Sequence, residues 1–178
     1  MKNVFYPLLA ALIFLTSATM LIEPTKYTVE DGFKVAFKSK DPSGVFKEMD
    51  GQINFDAKDL ANSKVDFTVK VSSINTGNGM QNKKAQISEW FNAAKYPDIT
   101  FKSTKINEYK GTYYVYGNLT MKGTTKPYKV PMNVEYKDNG MKLTGSFTVK
   151  RSDFKVGKPG GAVPDGMKII YSIPVSKN

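Results

Sequence analysis

The strongest constraint on this chain is a period-two alternation of apolar and polar residues, repeated row after row. Val65, Phe67, Val69 and Val71 alternate with Asp66, Thr68, Lys70 and Ser72. Val130, Met132, Val134 and Tyr136 alternate with Pro131, Asn133 and Glu135. Leu143, Gly145, Phe147 and Val149 alternate with Thr144, Ser146, Thr148 and Lys150, and Ile169, Tyr171, Ile173 and Val175 form a last row. Successive side chains on a strand point to opposite faces, so each row is a strand with one apolar and one wet face. Weaker rows lie at Phe33–Phe37, Val45–Phe55, Ile99–Ile106 and Tyr113–Met121. Turn signals separate them: Asp31-Gly32, Asp41-Pro42, Lys110-Gly111, Lys122-Gly123 and Asp138-Asn139-Gly140. About eight antiparallel strands of this kind close most simply into an all-β, up-and-down barrel. A β-sandwich is the alternative. In the barrel, the odd-numbered residues of the rows at 65–71 and 143–149 face one enclosed space, with Lys70 and Lys150 in solvent.

One stretch, from Ser73 to Ser103, breaks the alternation. A strand runs into a turn at Gly77 and Gly79. Ile87, Trp90, Phe91 and Ala94 then recur at the i, i+3, i+4, i+7 spacing of an amphipathic helix, ahead of Tyr96-Pro97 and a strand opening at Ile99. A single helix in an all-β chain is expected across a barrel end or beside a pocket, where a hydrophobic ligand would enter.

Composition narrows the chemistry. The chain has 178 residues, which suits one domain with a sizeable core. It contains no cysteine and no histidine. Disulfides, zinc–thiolate sites, thiol catalysis and a Ser-His-Asp triad are therefore excluded, as is the commonest general base. The carboxylates form no paired motif, and Gly157–Gly161 lacks the strand and helix that frame a phosphate cradle. The residues thus assign no catalytic group, no metal site and no cofactor, and the expected class is a non-enzyme. The 26 basic and 16 acidic residues leave a net charge of +10, and Arg151 is the one arginine. A nucleic-acid reader relies on arginine, so no nucleic-acid partner is expected. Lysines alternating with apolar residues read as a solvated barrel exterior, with contact to an anionic membrane surface as the alternative. The isolated Arg151, in Arg-Ser-Asp-Phe, suggests work a lysine cannot do, such as a bidentate carboxylate pair, and reads as closing a strand end.

The N-terminus has the pattern of an export signal. Lys2 is basic, Val4 to Leu15 is apolar, and Thr16-Ser17-Ala18-Thr19 is a run of small residues. A cleaved signal peptide over residues 1–22 is expected, followed by one domain over 23–178 in a periplasmic or secreted protein. Because the apolar run reaches Ile22, an uncleaved anchor is the alternative. Oligomeric state is not specified by these patterns.

Five segments together resemble the YceI family: GQINFD (51–56), SSINTGNGM (72–80), WFNAAKYPDITFKS (90–103), GNLTMKGTTKP (117–127) and VKRSDF (149–154). The resemblance implies a lipocalin-like barrel, exported by bacteria, that holds a polyisoprenoid lipid or isoprenoid quinone in its interior for transport, storage or sequestration. The inward rows and the helix then supply the lining: Phe67, Val69, Val71, Trp90, Phe91, Phe101, Val134, Leu143, Phe147, Ile169 and Tyr171. The alternative is a filled structural barrel, in which the same residues pack solidly and no lipid enters. The family often shows a segment resembling Met-Arg-Asn-Lys-His-Leu after the glycine turn. Here Met80, Gln81, Asn82, Lys83, Lys84 and Ala85 stand there, which makes Asn82 and Lys84 the candidate head-group contacts.

Overall fold

The computed structural model describes residues 25–178, so the export segment expected over residues 1–22 lies outside the described residues. Eleven strand segments follow in chain order: β1 (Lys26–Val29), β2 (Lys34–Lys38), β3 (Gly44–Phe46), β4 (Met49–Asn54), β5 (Lys64–Lys70), β6 (Ile74–Asn75), β7 (Asp98–Tyr109), β8 (Thr112–Met121), β9 (Thr124–Lys137), β10 (Gly140–Lys150) and β11 (Gly166–Lys177). Because β1 pairs with both β4 and β11, the ring β1-β4-β5-β7-β8-β9-β10-β11 closes as an eight-stave antiparallel barrel. The segments β2, β3 and β6 are upward continuations of the first three staves. β2 takes over from β1 beside β11, β3 pairs with β2, and β6 pairs with β3. The first stave breaks at the Asp31-Gly32 turn, where Gly32 has φ +84°. The third breaks at a 3-10 turn over Val71–Ser73.

The alternation sets which side chains face inward. Val65, Val69, Leu143 and Val149 are buried, whereas Lys150 is exposed and Lys70 turns outward to pair with Asp98 at 2.8 Å. The lower end of the barrel is solid. Ile53, Phe55, Val65, Ile106, Val115, Met132, Met141, Leu143, Ile173 and Val175 pack there into one cluster, with Phe55 edge-on to Tyr113. Lys110-Gly111 and Lys122-Gly123 turn with positive φ at both residues, the geometry that matches strand twist in two-residue hairpins.

Two seams open in the upper half. β6 has no neighbour beyond β3, because β7 begins only at Asp98, opposite Lys70. β9 and β10 pair over Gly140–Thr144 only, and then part. The first seam is covered by residues 76–97. The one α-helix among the described residues, α1 (Gly79–Gln86), forms there because the Asn78 side chain accepts from the N–H groups of Met80 and Gln81. This corrects the helix expected at Ile87–Ala94. Ile87 is extended and Asn92 sits at φ +53°, so the chain folds into turns held by Phe91 N–H to Ala85 O and Asn92 N–H to Ile87 O. The intended apolar face is split: Trp90 and Phe91 turn inward, while Ile87 and Ala94 are exposed. At the second seam, Tyr128 packs against Phe147 and Phe154, the latter on a 3-10 turn over Arg151–Phe154.

Candidate functional site

Above the solid floor the barrel is hollow. A cavity of about 330 Å³ opens at the upper end, near the lower bound of small-molecule sites. Its floor is the top of the lower core, with Val65, Val115, Val130, Met132 and Ile173. Val69, Phe67, Phe101, Phe147, Ile169 and Tyr171 form the wall, and Ala85, Trp90 and Phe91 form the roof, with Phe91 edge-on to Phe46. Nearly all of this surface is apolar. The polar groups that reach it are Asp41, Thr76, Gln81 and Lys84 near the mouth, and Arg151 in the wall.

The wall stays open because its aromatic rings lie against glycines instead of crossing the lumen. Gly51 is directly opposite Phe67, Gly44 opposite Phe37 and Gly145 opposite Tyr171, while Gly117 is diagonal to Phe101. A side-chain carbon at Gly51 would meet the Phe67 ring at 2.7 Å; at Gly44, Phe37 at 2.7 Å; at Gly117, Phe101 at 2.5 Å; at Gly145, the Tyr171 hydroxyl at 2.6 Å. Each ring therefore occupies the space its neighbour's side chain would fill. Tyr171 goes further: its hydroxyl passes over Gly145 and donates to Pro131 O at 2.6 Å, bridging the β9–β10 seam. Burial raises the pKa of this phenol well above its ordinary value, so it stays a donor.

The roof is pinned to the strand ends. Lys122 Nζ donates to Glu89 O and Lys155 O, and Gly157 N–H donates to Glu89 O. Burial lowers the Lys122 pKa. Arg151 is buried and closes the β10 end, as the sequence suggests, but without a carboxylate partner. Its guanidinium donates to the carbonyls of Pro164 (2.9 Å), Val156 (2.5 Å) and Val163 (2.7 Å), which fixes the 157–165 loop. Asp165 instead accepts from Ser152 N–H and Oγ, and those two bonds, helped by the nearby Arg151 charge, hold its carboxyl below the usual range.

The sequence-derived lining divides. Phe67, Val69, Trp90, Phe91, Phe101, Phe147, Ile169 and Tyr171 come together around the cavity. Three others do not. Val71 is drawn off the stave by the 3-10 turn and buried there. Leu143 and Val134 face inward at the lower end, where Leu143 is fully buried and Val134 packs against the same cluster. The filled-barrel alternative thus describes the lower half of the molecule and not the upper. Asn82 is not among the residues that line the cavity, and its Oδ1 accepts from Thr76 N–H and Oγ, closing the turn ahead of α1. Lys84 is exposed at the mouth. Phe37, Phe46 and Met167 also line the cavity. Phe37 belonged to a weak row, and nothing in the local pattern marked its height in the barrel.

Gly51 is the one glycine of the four that meets only side chains, Phe67 and Val29 Cγ2, with no backbone atom. Gly51→Ala should therefore leave the strand in place and push the Phe67 ring into the lumen. The expected outcome is weaker binding of an apolar fluorescent dye, with a loss of about 1–3 kcal/mol in denaturant stability. Unchanged dye binding would show that the ring does not depend on the glycine.

Comparison with known proteins places this geometry. The family model for the YceI-like domain matches residues 22–175. A UPF0312 protein of Photorhabdus laumondii is 36% identical over 104 residues, which cover 58% of this chain and 53% of that protein. The chain thus spans about half the length of that relative. The crystal structure of Burkholderia cenocepacia BcnA superposes with a TM-score of 0.79 at 30% identity, covering 83% of this chain and 99% of BcnA. A polyisoprenoid binding domain from Saccharophagus degradans, implicated in plant cell wall breakdown, shares the fold. Its TM-score is 0.69 at 13% identity, covering 85% of this chain and 98% of that domain.

Proposed function

Because this chain belongs to the YceI-like family, we propose that it is an exported binding protein that holds one isoprenoid lipid, tail inward, in the upper half of its barrel. The observation that carries the reading is the apolar cavity of about 330 Å³, open at one end above a solid floor. Such a space is unfavourable to water and favourable to a hydrocarbon tail, at roughly 0.8 kcal/mol per buried methylene before the cost of ordering the chain. The fold is the one that carries the polyisoprenoid binding domain of S. degradans, and a binding role, not catalysis, fits a wall with almost no polar chemistry. Isoprenoid alcohols and quinones share the tail and differ in the head. The N-terminal pattern of Lys2 and Val4–Leu15 supports periplasmic or secreted placement.

Loading from an anionic membrane surface belongs to the same reading. Beside the mouth, Met80 is 79% exposed and Ile87 49%, next to exposed Lys83 and Lys84 on α1. Two unpartnered apolar side chains among lysines suit insertion between anionic head groups. The protein should float with anionic vesicles and not with neutral ones, and added salt should weaken the association. Met80→Asp with Ile87→Asp should abolish it. Flotation independent of lipid charge and of both substitutions would contradict the docking.

The direct test is solvent extraction of protein recovered from the exported fraction, followed by mass spectrometry. The expected result is a lipid whose homologues differ by whole isoprene units. Val69→Phe, which fills the cavity from its wall, should lose that lipid at less than the ~1–3 kcal/mol that overpacking a full core costs. Wild-type extracts free of isoprenoid, together with a large stability loss in Val69→Phe, would overturn the reading in favour of a filled barrel.

A further inference from the structure

A tail that enters an apolar hollow from one end can go no deeper than its floor, and here the floor is sharply drawn. Going down the staves, Val115 on β8, Met132 on β9 and Ile173 on β11 line the cavity. The next inward residue on each, Tyr113, Val134 and Val175, does not. Val175 belongs to the packed lower cluster with Ile53, Phe55 and Ile106, and Tyr113 and Val134 pack against it. The lining runs from Met167 to Ile173 on β11 and from Val115 to Met121 on β8. At ~3.3 Å per residue, along strands tilted ~35–45° to the barrel axis, either run is about 15 Å deep. An isoprene repeat places four carbons along the chain and spans about 5 Å when extended, so about three repeats fit between mouth and floor.

Met132 sits astride the boundary. It lines the cavity, is only 1% exposed, and is part of the packed cluster. Its partner across the strands is Tyr113, whose ring is held edge-on against Phe55. An unbranched methionine fills gaps that its neighbours leave, so shortening it opens space directly beneath the cavity. Met141 makes the comparison clean. It is also a methionine, also 1% exposed and in the same cluster, yet it does not line the cavity. Shortening Met141 leaves a void within the solid half.

We propose that the floor is a length gauge: the protein encloses about three isoprene repeats of a tail, leaves any further repeats at the mouth, and Met132 is the side chain that sets the limit. This inference rests on the lipid-holding reading above and adds to it which part of the tail is recognised. Repeats beyond the third contribute little to affinity, because they exchange water for the mouth of the barrel and not for its interior.

The test is a chain-length series at constant head group. Delipidated protein is titrated with geraniol, farnesol and geranylgeraniol, which carry two, three and four repeats, by displacement of an apolar fluorescent dye. In the wild type the third repeat should tighten binding by at least about 10-fold, and the fourth by less than about 3-fold. Met132→Ala should raise the gain from the fourth repeat to about 10-fold, and Met141→Ala should leave it at the wild-type value. The readout is a ratio of affinities, so a general loss of stability shared by both variants does not move it. Met132→Val, a milder truncation, should shift the ratio in the same direction, and the wild-type series tests the depth without any substitution. A fourth repeat that gains as much as the third in the wild type, or a ratio that moves equally in Met132→Ala and Met141→Ala, would overturn the gauge while leaving lipid binding intact. If none of the alcohols binds wild-type protein, the lipid-holding reading falls and the gauge falls with it.

Discussion

The architecture depends on the contact between an aromatic ring and a glycine on the neighbouring strand. Phe67 against Gly51, Phe37 against Gly44, Tyr171 against Gly145 and Phe101 against Gly117 repeat one arrangement around the upper barrel. An aromatic side chain on an eight-stave barrel would ordinarily reach well into the lumen, where side chains from the other staves meet it and fill the space. Lying on a glycine, it still covers backbone and buries area, but it leaves the axis free. Below, where Ile53, Val115, Met132, Met141 and Leu143 project inward, the same barrel is solid. The space is floored by a packed core and walled by rings held aside, and it is the space that the proposed lipid would fill.

The polar devices sit where the sheet fails. Above Thr144 the β9 and β10 strands separate, and the Tyr171 hydroxyl supplies a hydrogen bond to Pro131 O across the gap. Where β6 loses its neighbour, the turns around Trp90 and Phe91 take over, tied down through Glu89 O by Lys122 and Gly157. Arg151 orders the 157–165 loop through carbonyls alone. A lysine in its place has no planar fork with which to reach three acceptors, which accounts for one arginine among so many lysines. The roof is thus made of loops on a rigid frame, the usual arrangement for a site that must admit a ligand.

Strand positions and facing were legible in the sequence, because alternation is the direct imprint of a sheet with one dry face. Val65 to Val69 and Leu143 to Val149 lie as their period demands. Height along the barrel was not legible, since period two distinguishes in from out and nothing more. Leu143 and Val134 therefore face inward at the solid end, and Val71 was lost to a 3-10 turn that continues the apolar spacing. The helix was misplaced for a related reason. Ile87, Trp90, Phe91 and Ala94 match a helical face, but the capping side chain of Asn78 starts the helix earlier, over polar residues. The lone arginine was visible as an oddity, and the inward Gly145 stood in plain view in its row. Their meaning needed the cross-strand partners, which only register supplies.

The central claim is that the upper barrel is an open apolar space even without a ligand, kept so by rings lying on glycines. Crystals of delipidated protein under xenon pressure test it directly, because xenon settles in apolar voids large enough to hold it. The account predicts xenon bound between Phe67, Phe101 and Phe147, with the rings still against Gly51 and Gly117. An upper barrel with no xenon, its rings turned in to meet at the axis, would contradict it.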